Sequence, residues 1–246
     1  MRYFVCFSYR GTDFHGSQSQ PNGITVQQVL EEAFTTILRH PVSSTFAGRT
    51  DAGVHAAQMW AHLDVETPLD GADIAYHLNS LLPPSIAIAR IVPVRDDAHA
   101  RFSAVRRTYE YRIGTEKDVF RTGLYTRVAP GLDFAAMNQA ASLLLGRHDF
   151  ACFCRVHTDV KTTFCTVSRA EWVNESTFVI AADRFLRNMV RAVTGTLFMI
   201  GRGQMNLDEF RAVIDSHNRC AAGQSAPAEG LYLVEVEYPK ELFLCA

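Results

Sequence analysis

The most informative stretch of the chain reads Ala47-Gly48-Arg49-Thr50-Asp51-Ala52-Gly53-Val54-His55. A carboxylate and a guanidinium lie close together between two glycines. We expect Gly48 and Gly53 to take positive φ, so that the backbone can approach a ligand and a rigid loop can present Asp51. Arg49 would place a positive charge beside this carboxylate. The alternative is a surface turn with an exposed ion pair, because Asp and Gly are common turn residues.

The composition is that of a folded protein. With 246 residues and 48% hydrophobic content, the chain can bury a substantial core as one large domain or as two intimately joined halves. Its first residues form no apolar run long enough to span a membrane and lack the layout of a signal peptide. We therefore expect a cytoplasmic protein.

The cysteines do not indicate a disulfide framework or a metal site. They are too few and too irregularly spaced for a small secreted domain, so we expect reduced thiols. Cys152, Cys154 and His157 form a C-x-C-x-x-H pattern, but this spacing matches no common zinc site. Small residues buried on a strand explain the two cysteines equally well. The six cysteines are at positions 6, 152, 154, 165, 220 and 245.

Hydrophobic periodicity predicts a β-α-β-β-α-β order for the first half. A helix should begin at Thr25 with a capping-box pattern and carry an apolar stripe at helical spacing. Residues 58 to 65 alternate in polarity, which is typical of a half-buried strand. The other predicted elements are strands at 1–9, 42–47 and 86–94 and a helix at 72–82, and the stripe comprises Val26, Val29, Leu30, Ala33 and Ile37.

The second half repeats this order loosely. Asp133 should cap a helix that runs to a Gly146 C-cap. A helix over 185–200 would place Arg187 and Arg191 on one face, where like charges repel unless an anion lies opposite. The other predicted elements are strands at 106–115, 162–173, 177–183 and 231–238 and a helix at 207–217.

These patterns together predict an α+β fold. We expect two ferredoxin-like halves that share a central, mainly antiparallel mixed sheet, with helices packed on it and a cleft between the halves. The N-terminal half, 1–104, carries the Asp51 loop. The C-terminal half, 105–246, carries the tyrosine and arginine of the predicted site.

Segments along essentially the whole chain resemble the TruA-type tRNA pseudouridine synthases. The Asp51 motif matches the catalytic loop of that family, and its other segments follow in family order. Near the start stands Tyr9-Arg10-Gly11-Thr12-Asp13-Phe14-His15-Gly16-Ser17-Gln18, and His99-Ala100-Arg101-Phe102-Ser103-Ala104 with Arg107-Thr108-Tyr109-Glu110-Tyr111 follows in the middle. The later segments are Gly146-Arg147-His148-Asp149-Phe150, Phe185-Leu186-Arg187-Asn188-Met189-Val190-Arg191 and Glu229-Gly230-Leu231-Tyr232-Leu233.

The resemblance implies an isomerase that converts uridine to pseudouridine in the anticodon stem-loop of tRNA, at positions 38, 39 and 40. It implies no cofactor and no metal, and a homodimer that binds tRNA. Asp51 is the catalytic carboxylate, Arg187 pairs with it, and Tyr109, in preference to Tyr111, stacks on the target base. The implied substrate-binding residues are Arg49, Thr50, Tyr109, Arg107, Arg191 and Gln18.

Several of these residues keep a structural alternative. Arg191 faces either RNA or a structural carboxylate, and it could also be an ordinary surface charge. Tyr109 could be a core residue like its neighbours on the strand. His55 is expected to pack the loop, and His148 with Asp149 to cap or brace a strand rather than to act in catalysis.

Two positions depart from the family pattern. Ser17 stands where the family commonly has Trp, which removes a large stacking surface, so contacts to RNA near that loop are expected to differ. Asn188 replaces a histidine seen in some members. Since it lies beside the matching Arg187 and not on it, we expect little effect on chemistry.

The formal net charge of −2 is unusual for an RNA enzyme, because phosphate contacts require Lys or Arg. Distribution matters more than the total, and we expect a basic cleft on an otherwise acidic body. Scattered, solvated arginines remain the alternative, for Arg101 and Arg184 in particular. The arginines cluster at 101, 106, 107 and 112 and again at 184, 187 and 191, whereas acids concentrate in helical segments such as Glu31-Glu32 and Asp208-Glu209.

Two other functions are also compatible with these features. One uses two ferredoxin-like halves, and the other uses a protein carboxylate that acts on a sugar. The first is RNA binding without catalysis, as in an RRM-like sheet, although no segment matches the aromatic RNP pattern. The second is an N-glycosidic hydrolase that releases the base. A pseudouridine synthase with a different uridine target is a further alternative.

Overall fold

The computed structural model describes residues 1–21, 23–155 and 161–244. The fold is α+β, with a mostly antiparallel mixed sheet and, in these ranges, five α-helices. The chain forms two compact units. Unit 1 comprises Met1–Val105 and the chain from Leu233 onward, and unit 2 comprises Arg106–Tyr232.

Unit 1 has the predicted β-α-β-β-α-β order. Its sheet runs β4-β1-β3, and the short β2 also pairs with β3; these pairs are antiparallel. That is the strand order of a ferredoxin-like unit. The elements are β1 (Arg2–Tyr9), α1 (Val26–Leu38), β2 (Ser44–Phe46), β3 (His55–Asp64), α2 (Gly71–Leu81) and β4 (Ile86–Val94).

Side-chain caps explain where the helices of unit 1 begin. The Thr25 hydroxyl accepts a hydrogen bond from the backbone amide of Gln28, and Asp70 accepts two from the first turn of α2. The predicted capping box is incomplete, because the side chain of Gln28 donates instead to Glu32. The buried face of α1 also differs from the predicted stripe and comprises Val26, Leu30, Ala33 and Phe34.

Strand β3 is buried on both faces, so the prediction of a half-buried strand was wrong. Trp60, which stands on the polar side of the alternation in 58–65, lies in an aromatic cluster with Phe4, Tyr238 and Phe243. His62 is also buried, and its Nδ1 accepts a hydrogen bond from the amide of Ala100 at 3.1 Å. The His62 imidazole is therefore satisfied inside the unit, whereas the buried indole nitrogen of Trp60 has no hydrogen-bond partner among the described residues.

Unit 2 contains an antiparallel sheet in the order β5-β9-β8-β7, with β6 parallel to β5. Strands β6 and β7 were not predicted, because they are short and their residues do not alternate in polarity. The elements are β5 (Arg106–Gly114), β6 (Thr126–Arg127), α3 (Phe134–Ser142), β7 (Gly146–Asp149), β8 (Phe164–Asn174), β9 (Thr177–Ala182), α4 (Met189–Gly201) and α5 (Leu207–Asp215).

The final strand, β10 (Leu231–Glu237), begins in unit 2 and continues into unit 1. The predicted C-terminal half, 105–246, therefore divides the chain differently from the two units. The reason is that β10 lies beside β3, where the amide of Val236 donates to Oε1 of Gln58. A cleft between the predicted halves stays a prediction.

Helix α3 is shorter than predicted. Asp133 caps it as expected, but the helix ends at Ser142, and residues 143–145 form tighter turns. Gly146 has φ of 97° and begins β7, so it does not serve as the helix C-cap. The chain does turn at Gly146 with positive φ, but the turn leads into strand β7 and does not end a helix.

The described cysteines are free thiols, and four of the five are buried. Burial raises the pKa of the Cys152 and Cys165 thiols to about 12, which keeps them protonated. His157, which belonged to the weak metal pattern, and Cys245 lie outside the described residues. Across the described ranges, no group of three metal-ligating side chains is found, and no helix is long and apolar enough to cross a membrane.

Candidate active site

The Asp51 loop connects β2 to β3 and leaves Asp51 half-exposed. Its turn is closed by a hydrogen bond from the amide of Val54 to the carbonyl of Asp51, at 3.1 Å. Gly53 has φ of 80°, as predicted, whereas Gly48 does not adopt positive φ and so needs no glycine for that reason. The loop can therefore present a carboxylate to a ligand without a side chain in front of its turn.

Buried hydrogen bonds fix the residue before Asp51. The amide of Thr50 donates to the Ser17 hydroxyl at 2.9 Å, and the Ser17 amide donates to the Thr50 carbonyl at 3.2 Å. The hydroxyls of Tyr9 and Thr50 lie 2.8 Å apart and share a further hydrogen bond. Ser17 is fully buried, and Thr50 and Tyr9 are nearly so. Because water does not compete at these bonds, they hold the backbone beside Asp51 in one position.

The side chain at position 17 thus has a role that the sequence did not reveal. We expected the replacement of Trp by Ser17 to alter a surface in contact with RNA. In this structure residue 17 exposes no surface, and its hydroxyl supports the Asp51 loop instead. The supporting role of Tyr9 and Ser17 could not be predicted from sequence, because neither residue carries a charge. Their partner Thr50 is also distant in the chain, 41 residues from Tyr9 and 33 from Ser17.

Close backbone contacts also hold the loop. A Cβ at Gly11 would lie 2.0 Å from the Val54 carbonyl oxygen, so only glycine fits. Gly16 has φ of 95°, and a Cβ there would lie 3.0 Å from the Thr50 carbonyl oxygen. The amide of Gly11 donates to Nδ1 of His55 at 3.0 Å, which makes His55 a packing residue of the loop, as its structural interpretation predicted.

Arg49 and Gln18 are brought together at the surface of the loop. Nε of Arg49 donates to Oε1 of Gln18, and both side chains are exposed. The bond joins an exposed guanidinium two residues before Asp51 to the side chain of Gln18. These two predicted substrate-binding residues therefore meet at the surface of unit 1, whereas Thr50 is buried.

Tyr109 and Tyr111 lie two positions apart on β5, but their environments differ. Tyr111 is fully buried, and its hydroxyl lies 2.6 Å from that of Thr126 and donates to the Pro227 carbonyl at 2.8 Å. Burial raises its pKa. Tyr109 is half-exposed, with its ring edge-on to that of Phe185 at 5.1 Å. Tyr111 is therefore a core residue, and Tyr109 is the tyrosine that a ligand can reach.

Arg107 and the turn that precedes α4 lie together in unit 2. Nη1 of Arg107 donates to the Asp183 carbonyl at 2.9 Å. The Asp183 carboxylate in turn accepts hydrogen bonds from the amides of Thr166 and Arg184. Nη1 of Arg107 thus supports the segment that connects β9 to Arg187.

Arg187 does not lie on α4, so the prediction that it shares a helix face with Arg191 was wrong. The helix begins at Met189, and Asn188 adopts a left-handed conformation with φ of 66°. This conformation breaks the helical path two residues after Leu186. Arg187 and Arg191 are therefore not neighbours on one helix face, and their spacing does not imply an anion opposite them. Arg187 is exposed on the turn, and its carbonyl accepts a hydrogen bond from the amide of Arg155.

Arg191 and Asn188 both bind the segment that follows α5. Nε of Arg191 donates to the Ala226 carbonyl at 2.7 Å, and Nδ2 of Asn188 donates to the Ser225 hydroxyl at 2.6 Å. These contacts favour the structural interpretation of Arg191, which is half-buried. Asn188, expected to have little effect on chemistry, joins two segments of unit 2.

His148 and Asp149 have structural partners. Nε2 of His148 lies 2.7 Å from the Leu145 carbonyl. The Asp149 carboxylate accepts a hydrogen bond from the amide of Ala151 and lies 3.5 Å from Nδ1 of His217. Both contacts are of the capping and bracing kind expected for these residues.

A family model described as tRNA pseudouridine synthase matches this chain over residues 5–103 and 140–239. The chain belongs to the tRNA pseudouridine synthase family. Its members are isomerases, and their substrate is tRNA. Asp51 and Arg187 fall in the two matched segments, and Tyr109 falls between them.

Relatives from several bacteria agree with this family over nearly their full length. Each is called tRNA pseudouridine synthase A. The protein of Parabacteroides distasonis is 51% identical over 246 residues, with 98% of each chain covered. That of Porphyromonas gingivalis is 50% identical over 250 residues and 99% of each chain, and that of Bacteroides fragilis is 50% identical over 247 residues and 98% of each chain.

Proposed function

We propose that this protein isomerises uridine to pseudouridine in the anticodon stem-loop of tRNA, at positions 38 to 40, with Asp51 as the essential carboxylate. The observation that carries the proposal is the Asp51 loop itself. Buried bonds from Tyr9 and Ser17 fix Thr50, while the neighbouring Asp51 stays half-exposed. A carboxylate held in this way is oriented before the substrate arrives.

The reaction needs few parts. The C1′–N1 glycosidic bond breaks, the uracil turns, and a new bond joins its C5 to C1′ of the same ribose. The hydrogen on C5 leaves as a proton and N1 takes up a proton, so no electron is gained or lost. Asp51 acts on the sugar or the base, and no step calls for a cofactor or metal.

Tyr109 and Arg187 complete the proposed machinery. The half-exposed ring of Tyr109 stacks on the target base, and a π-face can hold a base while it rotates in its plane. Arg187 supplies a cation, and its exposed position on a turn leaves it accessible to an anion. Both assignments follow from the resemblance of the surrounding motifs.

The proposed RNA contacts centre on the loop. Arg49 and Gln18 bind the substrate together, because their hydrogen bond brings both side chains to one place at the surface. For Thr50 a direct contact to the substrate stays a prediction, since its hydroxyl is bonded to Tyr9 and its amide and carbonyl to Ser17. For Arg107 and Arg191 a role in substrate binding stays a prediction, as some of their donors bind backbone carbonyls. We further propose that the protein acts in the cytoplasm and that it is a homodimer. Sedimentation of the purified protein tests the oligomeric state.

The deciding experiment measures tritium released from C5-labelled uridine in tRNA. Asp51→Asn and Asp51→Ala should release none above background and should bind tRNA as the wild type does. Asp13→Asn is the matched control, because Asp13 is an exposed carboxylate of the same unit paired with Arg10. It should retain full turnover. Persistent tritium release by Asp51→Asn would exclude an essential role for this carboxylate.

The same reaction mixtures separate the alternative functions. Isomerisation leaves the mass of the RNA unchanged, whereas a hydrolase removes a base. A wild-type protein that binds tRNA but releases no tritium would be a binding protein. Mapping pseudouridine in the tRNA product tests positions 38 to 40, and modification elsewhere would point to a different uridine target.

A further inference from the structure

A tight turn in unit 1 holds an aromatic ring at the surface. The turn runs from His99 to Ser103 and is closed by a hydrogen bond from the Ser103 amide to the His99 carbonyl, at 2.9 Å. The Ser103 hydroxyl accepts a second bond from the His99 amide, also at 2.9 Å. Phe102 lies within this turn with 76% of its surface exposed.

The ring of Phe102 is backed by a histidine that is itself fixed. The centroids of Phe102 and His99 are 4.4 Å apart, and His99 packs edge-on against the buried His62 at 4.7 Å. Nδ1 of His99 accepts hydrogen bonds from the amides of Arg101 and Phe102, at 3.1 and 3.3 Å. A ring nitrogen accepts only when it carries no proton, and burial with the charge of Arg2 lowers the pKa of His99 accordingly.

A cation lies over the same ring. The guanidinium carbon of Arg101 is 5.6 Å from the Phe102 centroid. A single exposed Phe needs no explanation on a protein surface, so exposure alone indicates nothing. Here, however, an imidazole packs against the ring and a guanidinium lies over it, while most of its surface stays exposed. An aromatic face next to a positive charge matches a nucleobase and its phosphate, since proteins bind unpaired bases by such stacking.

We propose that Phe102 is a stacking platform for an unpaired base of the RNA substrate, with Arg101 next to the adjoining phosphate. This site is additional to the residues assigned above, and it rests on the proposed function only in that its ligand is tRNA. An apolar protein partner fits less well, because the neighbours that frame the ring are polar or charged. The platform would help to hold the tRNA while the target uridine is turned out of its stack.

The test measures binding of an unmodified tRNA transcript to the full chain. Phe102→Leu keeps an apolar side chain but removes the π-face, and we expect it to weaken binding by about ten-fold, within the range known for one stacked base. Phe102→Trp should bind within about two-fold of the wild type, because it retains a stacking face. Since Phe102 is largely exposed, all these variants should unfold at the wild-type denaturant concentration.

Phe120 offers a matched control. It is 92% exposed and is followed by Arg121, but the guanidinium of that arginine lies over Tyr125. Phe120→Leu should therefore leave tRNA affinity unchanged. A direct readout uses RNA with 2-aminopurine at single unpaired positions. At one position its fluorescence should be quenched by the wild type and recovered with Phe102→Leu.

Each outcome decides the proposal. Wild-type affinity for Phe102→Leu, an equal loss for Phe120→Leu, or a wild type that does not bind tRNA would overturn it. A change in sedimentation of Phe102→Leu without a loss of tRNA affinity would make this surface a subunit contact instead. Failure of the proposed function is seen separately, as tritium release by Asp51→Asn, and leaves the binding measurement valid.

Discussion

The loop that carries Asp51 and the turn that carries Arg187 are held by different kinds of contact. Beside Asp51 the hydrogen bonds among Tyr9, Ser17 and Thr50 are buried. Before Arg187 the bonds to the Asp183 carboxylate are exposed to solvent. Water competes for exposed bonds and not for buried ones, so the backbone beside Asp51 is held more rigidly than the backbone before Arg187. We infer that the Asp51 loop is formed in advance, whereas the arginine turn can adjust to the substrate.

The largest effect is expected from adding one methyl group beneath the Asp51 loop. In Gly11→Ala the new Cβ would lie 2.0 Å from the Val54 carbonyl oxygen, and backbone must move to relieve the contact. We expect a loss of about 3 kcal/mol or more in the free energy of unfolding, measured in urea, together with loss of tritium release.

Gly48→Ala is the control for this change. Nothing lies within 4 Å of a Cβ at Gly48, and its φ is not positive. This substitution should alter stability by less than about 1 kcal/mol and retain turnover. If both alanine variants behaved alike, close packing under the loop would not be what holds it.

Acid should weaken unit 1 through His62, on the strand that follows the loop. Burial, with smaller contributions from Arg2 and His99, lowers the pKa of this imidazole from 6.5 to about 4. The unfolded chain therefore binds the proton first. Stability is complete above pH 6.5 and falls as the pH drops toward 4, by about 2 to 3 kcal/mol in total.

The measurement is urea unfolding of the wild type and His62→Asn at pH values from 7.5 to 4. Asn does not titrate, and its side-chain oxygen can replace Nδ1 as the acceptor for Ala100. The difference between the two proteins should change across this window. A constant difference would mean that His62 binds its proton equally well in the folded and in the unfolded chain.

Ser17→Ala tests the buried bond beside Asp51 directly. The amide of Thr50 would lose its acceptor in a place that water does not reach, which costs about 1 to 3 kcal/mol. We expect kcat to fall more than affinity for tRNA, because the loop would lose orientation and not its surface charges. Ser19→Ala, an exposed neighbour, should change neither quantity. Equal losses of kcat and of affinity would assign Ser17 to RNA binding instead.

The element order and the Asp51 motif could be predicted from sequence because they depend on local patterns. Apolar spacing placed α1 and α2, and side-chain caps at Thr25, Asp70 and Asp133 mark where helices begin. A loop rich in glycine with an Asp and an Arg is likewise a local signal. The same approach placed the ferredoxin-like order of unit 1 correctly.

What the sequence could not predict depends on contacts between distant residues or on a single backbone angle. Whether Trp60 faces solvent depends on what covers the sheet, and here Tyr238 and Phe243, from beyond the last strand, cover it. Apolar periodicity cannot distinguish the first turn of α4 from the irregular turn before it. That helix begins directly after Asn188, whose backbone is left-handed. The sequence likewise does not show that Tyr111 is buried and Tyr109 half-exposed, which only the structure reveals.

The smallest effect is expected at Asn188, in the turn that carries Arg187. Its left-handed conformation costs most residues about 1 to 2 kcal/mol but costs glycine nothing. Asn188→Ala should therefore lose about that much stability, whereas Asn188→Gly should lose only the hydrogen bond to Ser225, about 1 kcal/mol or less. If the turn adjusts to the substrate, saturating tRNA should recover much of the turnover of Asn188→Ala, because binding energy can hold Arg187 in place. Turnover that stays low at saturating tRNA would show that the turn, like the Asp51 loop, must be formed in advance.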